Sequence, residues 1–139
     1  MPSNSRSLSI GGATGGNVFG SDEQAKKFAT QVWNLFMGGQ SDIRPFGAAV
    51  VDAIDLDIEG GSSAGYVAFV EQLRVHYAED KSKKYYVTAA PQCPFPDAYM
   101  GPVLEGADID AVYIQVRYDL YSHPRLCSFI RSSTTTTAA

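Results

Sequence analysis

The stretch Asp52-Ala53-Ile54-Asp55-Leu56-Asp57-Ile58-Glu59 places an acid at 55, 57 and 59, with Ile54, Leu56 and Ile58 alternating with them. A strand has period two, so the three carboxylates share one face about 6.5 Å apart, at roughly 3.3 Å per residue, and the other face is apolar. Carboxylates that close disfavour joint ionisation. At least one pKa rises, leaving a protonated acid beside an ionised one near neutrality, the requirement of general-acid chemistry. The same alternation also describes an ordinary half-buried strand with one face in water. The sequence on either side decides between the two.

Upstream, Leu8-Ser9-Ile10-Gly11-Gly12 reads as a short strand that runs into a Gly-rich loop. Ser21 and Gln24 form a capping box for a helix whose stripe is Ala25, Phe28, Ala29, Val32 and Phe36, stopped at Gly38-Gly39. Trp33 sits beside that stripe as packing. Downstream of the acidic strand, Gly60-Gly61-Ser62-Ser63 leads to a helix with the face Tyr66, Phe69, Val70, Leu73 and Tyr77. Residues 84–90 read as a third strand, ended by Pro91, Pro94 and Pro96. A short helix over 98–104 and a fourth strand over 111–115 complete the pattern. Strand and helix alternate four times, which predicts an α/β fold with a parallel sheet. In such folds the site lies at the carboxyl ends of the strands, and Glu59 stands there, followed by glycines. A parallel strand covered on both faces has no structural use for three carboxylates, so the stretch reads as a site.

Two other local readings fit less of the pattern. Asp55-x-Asp57-x-Glu59-Gly60 imitates the start of an EF-hand loop, but its twelfth position is Tyr66 rather than Glu. Asp57-Ile58-Glu59 resembles the acidic strand of metal-dependent nucleases, for which His76 and Asp80 are the nearby further ligands.

Length and composition set the bounds. A chain of 139 residues, 45% hydrophobic and 19% charged, suits one globular domain. A net charge of -4 gives no electrostatic footprint for nucleic acid or an anionic membrane. The small basic cluster Lys81, Lys83 and Lys84 reads as a solvated turn. No apolar run approaches the ~20 residues of a membrane span, and the amino terminus has no apolar signal-peptide core. Cys93 and Cys127 permit one disulfide without requiring it.

The residues reached so far carry a family resemblance. Ser9-Ile10-Gly11-Gly12 resembles the Ser-x-Gly-Gly motif on the third strand of family 18 glycoside hydrolases, and Asp52 to Glu59 resembles the Asp-Gly-x-Asp-x-Asp-x-Glu motif on their fourth. Thr88-Ala89-Ala90-Pro91-Gln92-Cys93-Pro94-Phe95-Pro96-Asp97 is similar to the fifth strand of plant and fungal class III chitinases. The resemblance implies a partial (β/α)8 TIM barrel, about strands 3 to 6, over residues 7–115. It places an irregular stretch at 1–6 and a divergent, disordered tail at 116–139. It implies hydrolysis of β-1,4-linked N-acetylglucosamine polymers by substrate assistance, an exception to the two-carboxylate scheme. Glu59 would be the general acid, Asp57 would orient the substrate acetamido group, and Asp55 would share the proton of Asp57. Gly11, Gly12, Gln115 and Tyr118 would line the substrate site. No metal and no cofactor are implied. The partner would be chitin or a chito-oligosaccharide, met outside the cell.

Three departures accompany the match. Ala53 stands where the motif has Gly. The family's inward Tyr, expected two residues after Gln115, is represented only by Tyr118, three residues on and of opposite parity. The pattern also spans about half of a ~250-residue barrel, as expected of a fragment or of a mispredicted gene product whose tail is translated from non-coding sequence. Two copies would close eight strands, so the open edges predict a homodimer or a larger aggregate. The readings carried forward are an active endochitinase, a catalytically impaired carbohydrate-binding or vestigial chain, and a metal-dependent nuclease.

Overall fold

The structure is a computed structural model that describes residues 4–14, 18–93 and 96–115. Four strands alternate with three helices: β1 (Ser7–Gly12), α1 (Asp22–Phe36), β2 (Ala53–Ile58), α2 (Tyr66–Glu79), β3 (Tyr86–Ala89), α3 (Gly101–Gly106) and β4 (Ala111–Val112). The sheet order is β1-β2-β3-β4 and every pairing is parallel, with Ser9 opposite Asp55 and Asp55 opposite Thr88. Sequential parallel strands joined by helices on one side are a segment of an α/β barrel, as the alternation predicts.

The core lies between the outer sheet face and the helices. Ile54, Leu56, Val87 and Ala89 are fully buried, and they meet Ala25, Ala29, Tyr66, Phe69 and Leu73 from α1 and α2. Period two does the sorting, because the residues between these on the strands are the polar ones. The predicted cap of α1 forms: the Ser21 hydroxyl accepts from Gln24 N at 3.2 Å. The reciprocal bond lands one residue earlier than a standard capping box, with Gln24 Oε1 accepting from Gly20 N at 2.6 Å. Trp33 packs as expected, stacked on His76 with centroids 5.5 Å apart and edge-on to Tyr85.

Several boundaries differ from the sequence reading, each for a physical reason. The third strand is shorter than 84–90: it starts at Tyr86, whose N–H reaches Asp52 O, and its ladder stops before Pro91, which has no N–H to give. The fourth strand is two residues rather than five. Its pairing resumes only at an isolated bridge between Gln92 and Gln115. The third helix begins at Gly101 instead of 98, because the Asp97 carboxylate accepts from Tyr99 N and Met100 N and holds residues 98–100 as a turn. Lys83 is no free surface charge. Its ammonium donates to Val50 O at 3.1 Å and to Asp52 Oδ1 at 2.6 Å.

The nuclease reading loses its further ligands. His76 meets the Thr30 hydroxyl at 3.0 Å, and Asp80 accepts from Tyr85 OH and Ser82 N, both at 2.8 Å, so both are engaged in the helix layer. Among the described residues no group of three His, Cys, Asp or Glu is arranged to hold a metal ion, and no helix is long and apolar enough to cross a membrane. The expectation of a disordered tail at 116–139, the placement of Tyr118 and the pairing of Cys127 fall outside the described residues.

Candidate active site

The inner sheet face gathers the polar residues that the alternation left over. An open cleft of about 340 Å³ is lined by Ser7, Ser9, Asp55, Thr88, Ala90 and Tyr113. Asp55 is its acidic centre. It accepts from the Ser9 hydroxyl at 2.9 Å on one oxygen and from the Thr88 hydroxyl at 2.6 Å on the other. These are its register partners on the two neighbouring strands, so parallel pairing alone brings the donors to it.

Two residues further on, Asp57 accepts from Gln115 Nε2 at 2.5 Å, and the same amide also reaches Ala90 O at 3.0 Å. Gln115 is held for this by its bridge to Gln92 and by its N–H on Pro91 O. Glu59, just past the end of β2, accepts from Gln92 Nε2 at 2.7 Å. The three carboxylates thus lie on one face, as the spacing predicts, and each is served by its own neutral donors. No cation neutralises any of them in the hydrogen bonds and ion pairs of the described residues.

The carboxyl of Asp57 is held above its ordinary range. Burial is the largest cause, followed by the negative charges of Glu59 and Asp55, with the Gln115 amide pulling the other way. The middle acid of three feels both neighbours, so crowding acts most on the residue at the centre. A cluster so arranged can keep a proton between its members and present a carboxyl at the rim to a bond that needs protonating.

Gly11 and Gly12 contribute in different ways. A side chain on Gly11, at φ 122°, would collide with the carbonyl oxygen of Asp57, so β1 can pair this closely only with glycine there. At Gly12, φ 91°, a Cβ would meet nothing within 4 Å, and the rim beside the acids is open. Ala53, in place of the motif glycine, is fully buried at the opposite end of β2.

The sequence reading did not single out Thr88, Gln92, Asp97 or Tyr113. A signal existed for two of them. Residues 88, 90 and 92 share the parity of an inward strand face, and Thr88 and Gln92 are the polar ones among them. Tyr113 and Asp97 could be placed only with the register of β3 against β4 and the turn before α3 known.

Fold and site define an α/β-barrel protein with an acidic cluster at the carboxyl rim of its parallel sheet. The model of the glycosyl hydrolases family 18 matches residues 3–137, and the chain belongs to that family. It is 57% identical over 108 residues to Chitinase 2 of Rhizopus oligosporus and 50% identical over 109 residues to an endochitinase of Saccharomyces cerevisiae, in each case over 78% of this chain and 19% of the relative. The solved ICChI chitinase of Ipomoea carnea superposes with a TM-score of 0.73 at 40% identity, covering 78% of this chain and 39% of that one. The chain therefore spans about a fifth of these curated relatives and two fifths of the solved one.

Proposed function

We propose that this chain carries the proton-donating half of a chitin-cleaving site. It would act on β-1,4-linked N-acetylglucosamine polymers by substrate-assisted hydrolysis. The observation that supports this most is the ordering of Asp55, Asp57 and Glu59 along one inward face. Glu59 lies at the open rim and the acid with the raised pKa lies next to it.

Each residue has a distinct task. Glu59 gives its proton to the glycosidic oxygen as the bond to the anomeric carbon breaks. The acetamido oxygen of the substrate attacks that carbon from the other side, and the positive charge that develops is met by Asp57, which accepts from the acetamido N–H. Asp55, fixed by Ser9 and Thr88, shares the proton that Asp57 holds before substrate arrives. Water then opens the cyclised sugar, with Glu59 now acting as base, so the anomeric configuration is retained. Gln115 keeps Asp57 in place, Gly11 lets β1 pair closely beside it, and Gly12 leaves room at the rim.

The decisive experiment is release of reducing ends from a soluble chito-oligosaccharide by the purified 139-residue chain, with and without a chelator. Chelator-insensitive release supports the proposal. Binding of the oligosaccharide without any release would support the carbohydrate-binding reading, and chelator-sensitive cleavage of nucleic acid would support the nuclease.

A further inference from the structure

Glu59 has two carboxyl oxygens, and the reaction above requires the proton to sit on the one that faces the substrate. The structure places an uncharged donor on one of them. Gln92 Nε2 lies 2.7 Å from Glu59 Oε2. An amide N–H can only donate, so a neutral Glu59 held this way carries its proton on Oε1. A Lys in the same place would favour the carboxylate and oppose the neutral acid, and a Glu would compete for the proton. An amide occupies one oxygen and leaves the charge free to change.

The backbone of Gln92 is anchored for this task. Its N–H donates to Asp97 Oδ2 at 2.5 Å, and its pairing with Gln115 ties it to the extension of β4. Asp97 is 5% exposed, and its second oxygen accepts from Tyr99 N and Met100 N at 2.7 Å each. A buried carboxylate with three backbone N–H bonds is a rigid post. Gln92 and Gln115 stand side by side, one amide on Glu59 and the other on Asp57.

We infer that Gln92, held by Asp97, is a positioning residue that selects the oxygen of Glu59 on which the proton resides. The inference rests on the reading of Glu59 as the acid, and it is tested in two independent ways on the 139-residue chain.

The first way needs no activity. The side-chain amide resonances of Gln92 in the 15N-labelled chain should move with pH as Glu59 ionises. Glu59→Gln should abolish that movement and Asp55→Asn should keep it. A Gln92 amide indifferent to pH, or one whose movement survives Glu59→Gln, overturns the inference whether or not chitin is cleaved. The second way reads the chemistry. Gln92→Leu should lower turnover of a chito-oligosaccharide by roughly 10- to 100-fold with KM changed less than about threefold, a partial loss of acid assistance that stays below the full general-acid contribution. With a 2,4-dinitrophenyl chitobioside, whose leaving group needs no proton, the loss should stay below about threefold. Gln92→Asn, which withdraws the amide by one methylene, should fall between wild type and Gln92→Leu on the first substrate while melting with the wild type. Equal losses on both substrates would mark Gln92 as merely structural. A chain that shows the pH-dependent amide and cleaves neither substrate overturns the proposed function and leaves the proton placement supported.

Discussion

The two ends of β2 treat their aspartates in opposite ways. Asp52, just before the strand, accepts from Arg6 N at 2.8 Å and from the Lys83 ammonium at 2.6 Å, and its carboxyl is held below the ordinary range by that backbone N–H first and the Lys83 hydrogen bond second. Asp57, five residues on, is pushed the other way by burial and by the charges of Glu59 and Asp55. One end has its charge matched by partners that are available only in the fold. The other gathers like charges that the fold must hold against their repulsion. In α/β barrels the amino-terminal rim serves stability and the carboxyl-terminal rim serves chemistry, and here the electrostatic contrast between the two rims lies within one strand.

The comparison breaks most visibly at Glu59. If the carboxyl end is the chemical end, Glu59→Gln should remove nearly all release of reducing ends, a loss of roughly 100- to 10,000-fold in turnover, because an amide cannot protonate the leaving oxygen. Retention of most turnover would remove Glu59 from the role of acid. Asp57→Asn comes next. On the proposed mechanism the charge of Asp57 is needed once the acetamido group attacks, so turnover should fall about 10- to 100-fold while affinity for the oligosaccharide stays within about threefold. Initial rates across a concentration series separate the two effects, and an equal loss in both would make Asp57 a binding residue only.

Much of this contrast was legible in the sequence, and what was not has a common cause. The acidic alternation, the glycines and the four βα repeats are local patterns, and they gave the parallel sheet, the inward face and the rim position of Glu59. The donors that serve each acid are nonlocal. Ser9 and Thr88 reach Asp55 from 46 and 33 residues away, and Gln115 reaches Asp57 from 58, distances at which only strand register decides who meets whom. The same limit explains Lys83, which reads as a turn charge until the register shows Asp52 beneath it. It also explains the late start of α3, since a buried Asp97 that organises a turn is indistinguishable in sequence from a solvated one.

The stabilising end can be tested by Asp52→Asn. Asp52 and Lys83 keep side-chain exposures of 26% and 30%, so solvent screens the pair, and the expected loss at pH 7 is about 1 kcal/mol, or a few degrees of melting temperature. The sign in pH follows from the lowered pKa. The carboxylate contributes its stability above the unfolded value of 3.8 and loses it as pH falls through the lower folded value. The gap between wild type and Asp52→Asn should therefore be full at pH 7 and close as pH falls below 3.8 and through the lower folded value. A gap that persists unchanged in acid would mean that the substitution acts through packing rather than charge.

The smallest effect is also the most discriminating, because it runs in the opposite direction. The folded pKa of Asp57 lies above the unfolded 3.8, so the fold favours the protonated form: that advantage is complete below 3.8 and is lost as pH rises through the folded value. Above the folded value the ionised Asp57 works against the fold. Asp57→Asn removes the charge while leaving an oxygen to accept from Gln115, and should raise the melting temperature at pH 7 by roughly 1–3 °C, a gain that disappears below pH 3.8. The variant that damages turnover would then be the more stable protein, as expected where a site holds charges that folding alone would not select. Thermal unfolding of wild type and variant at pH 7 and pH 3 decides it. A loss of stability at pH 7, or a gain that is the same at both values, would show that the carboxyl end of β2 carries no electrostatic strain and that its two ends differ only in their partners.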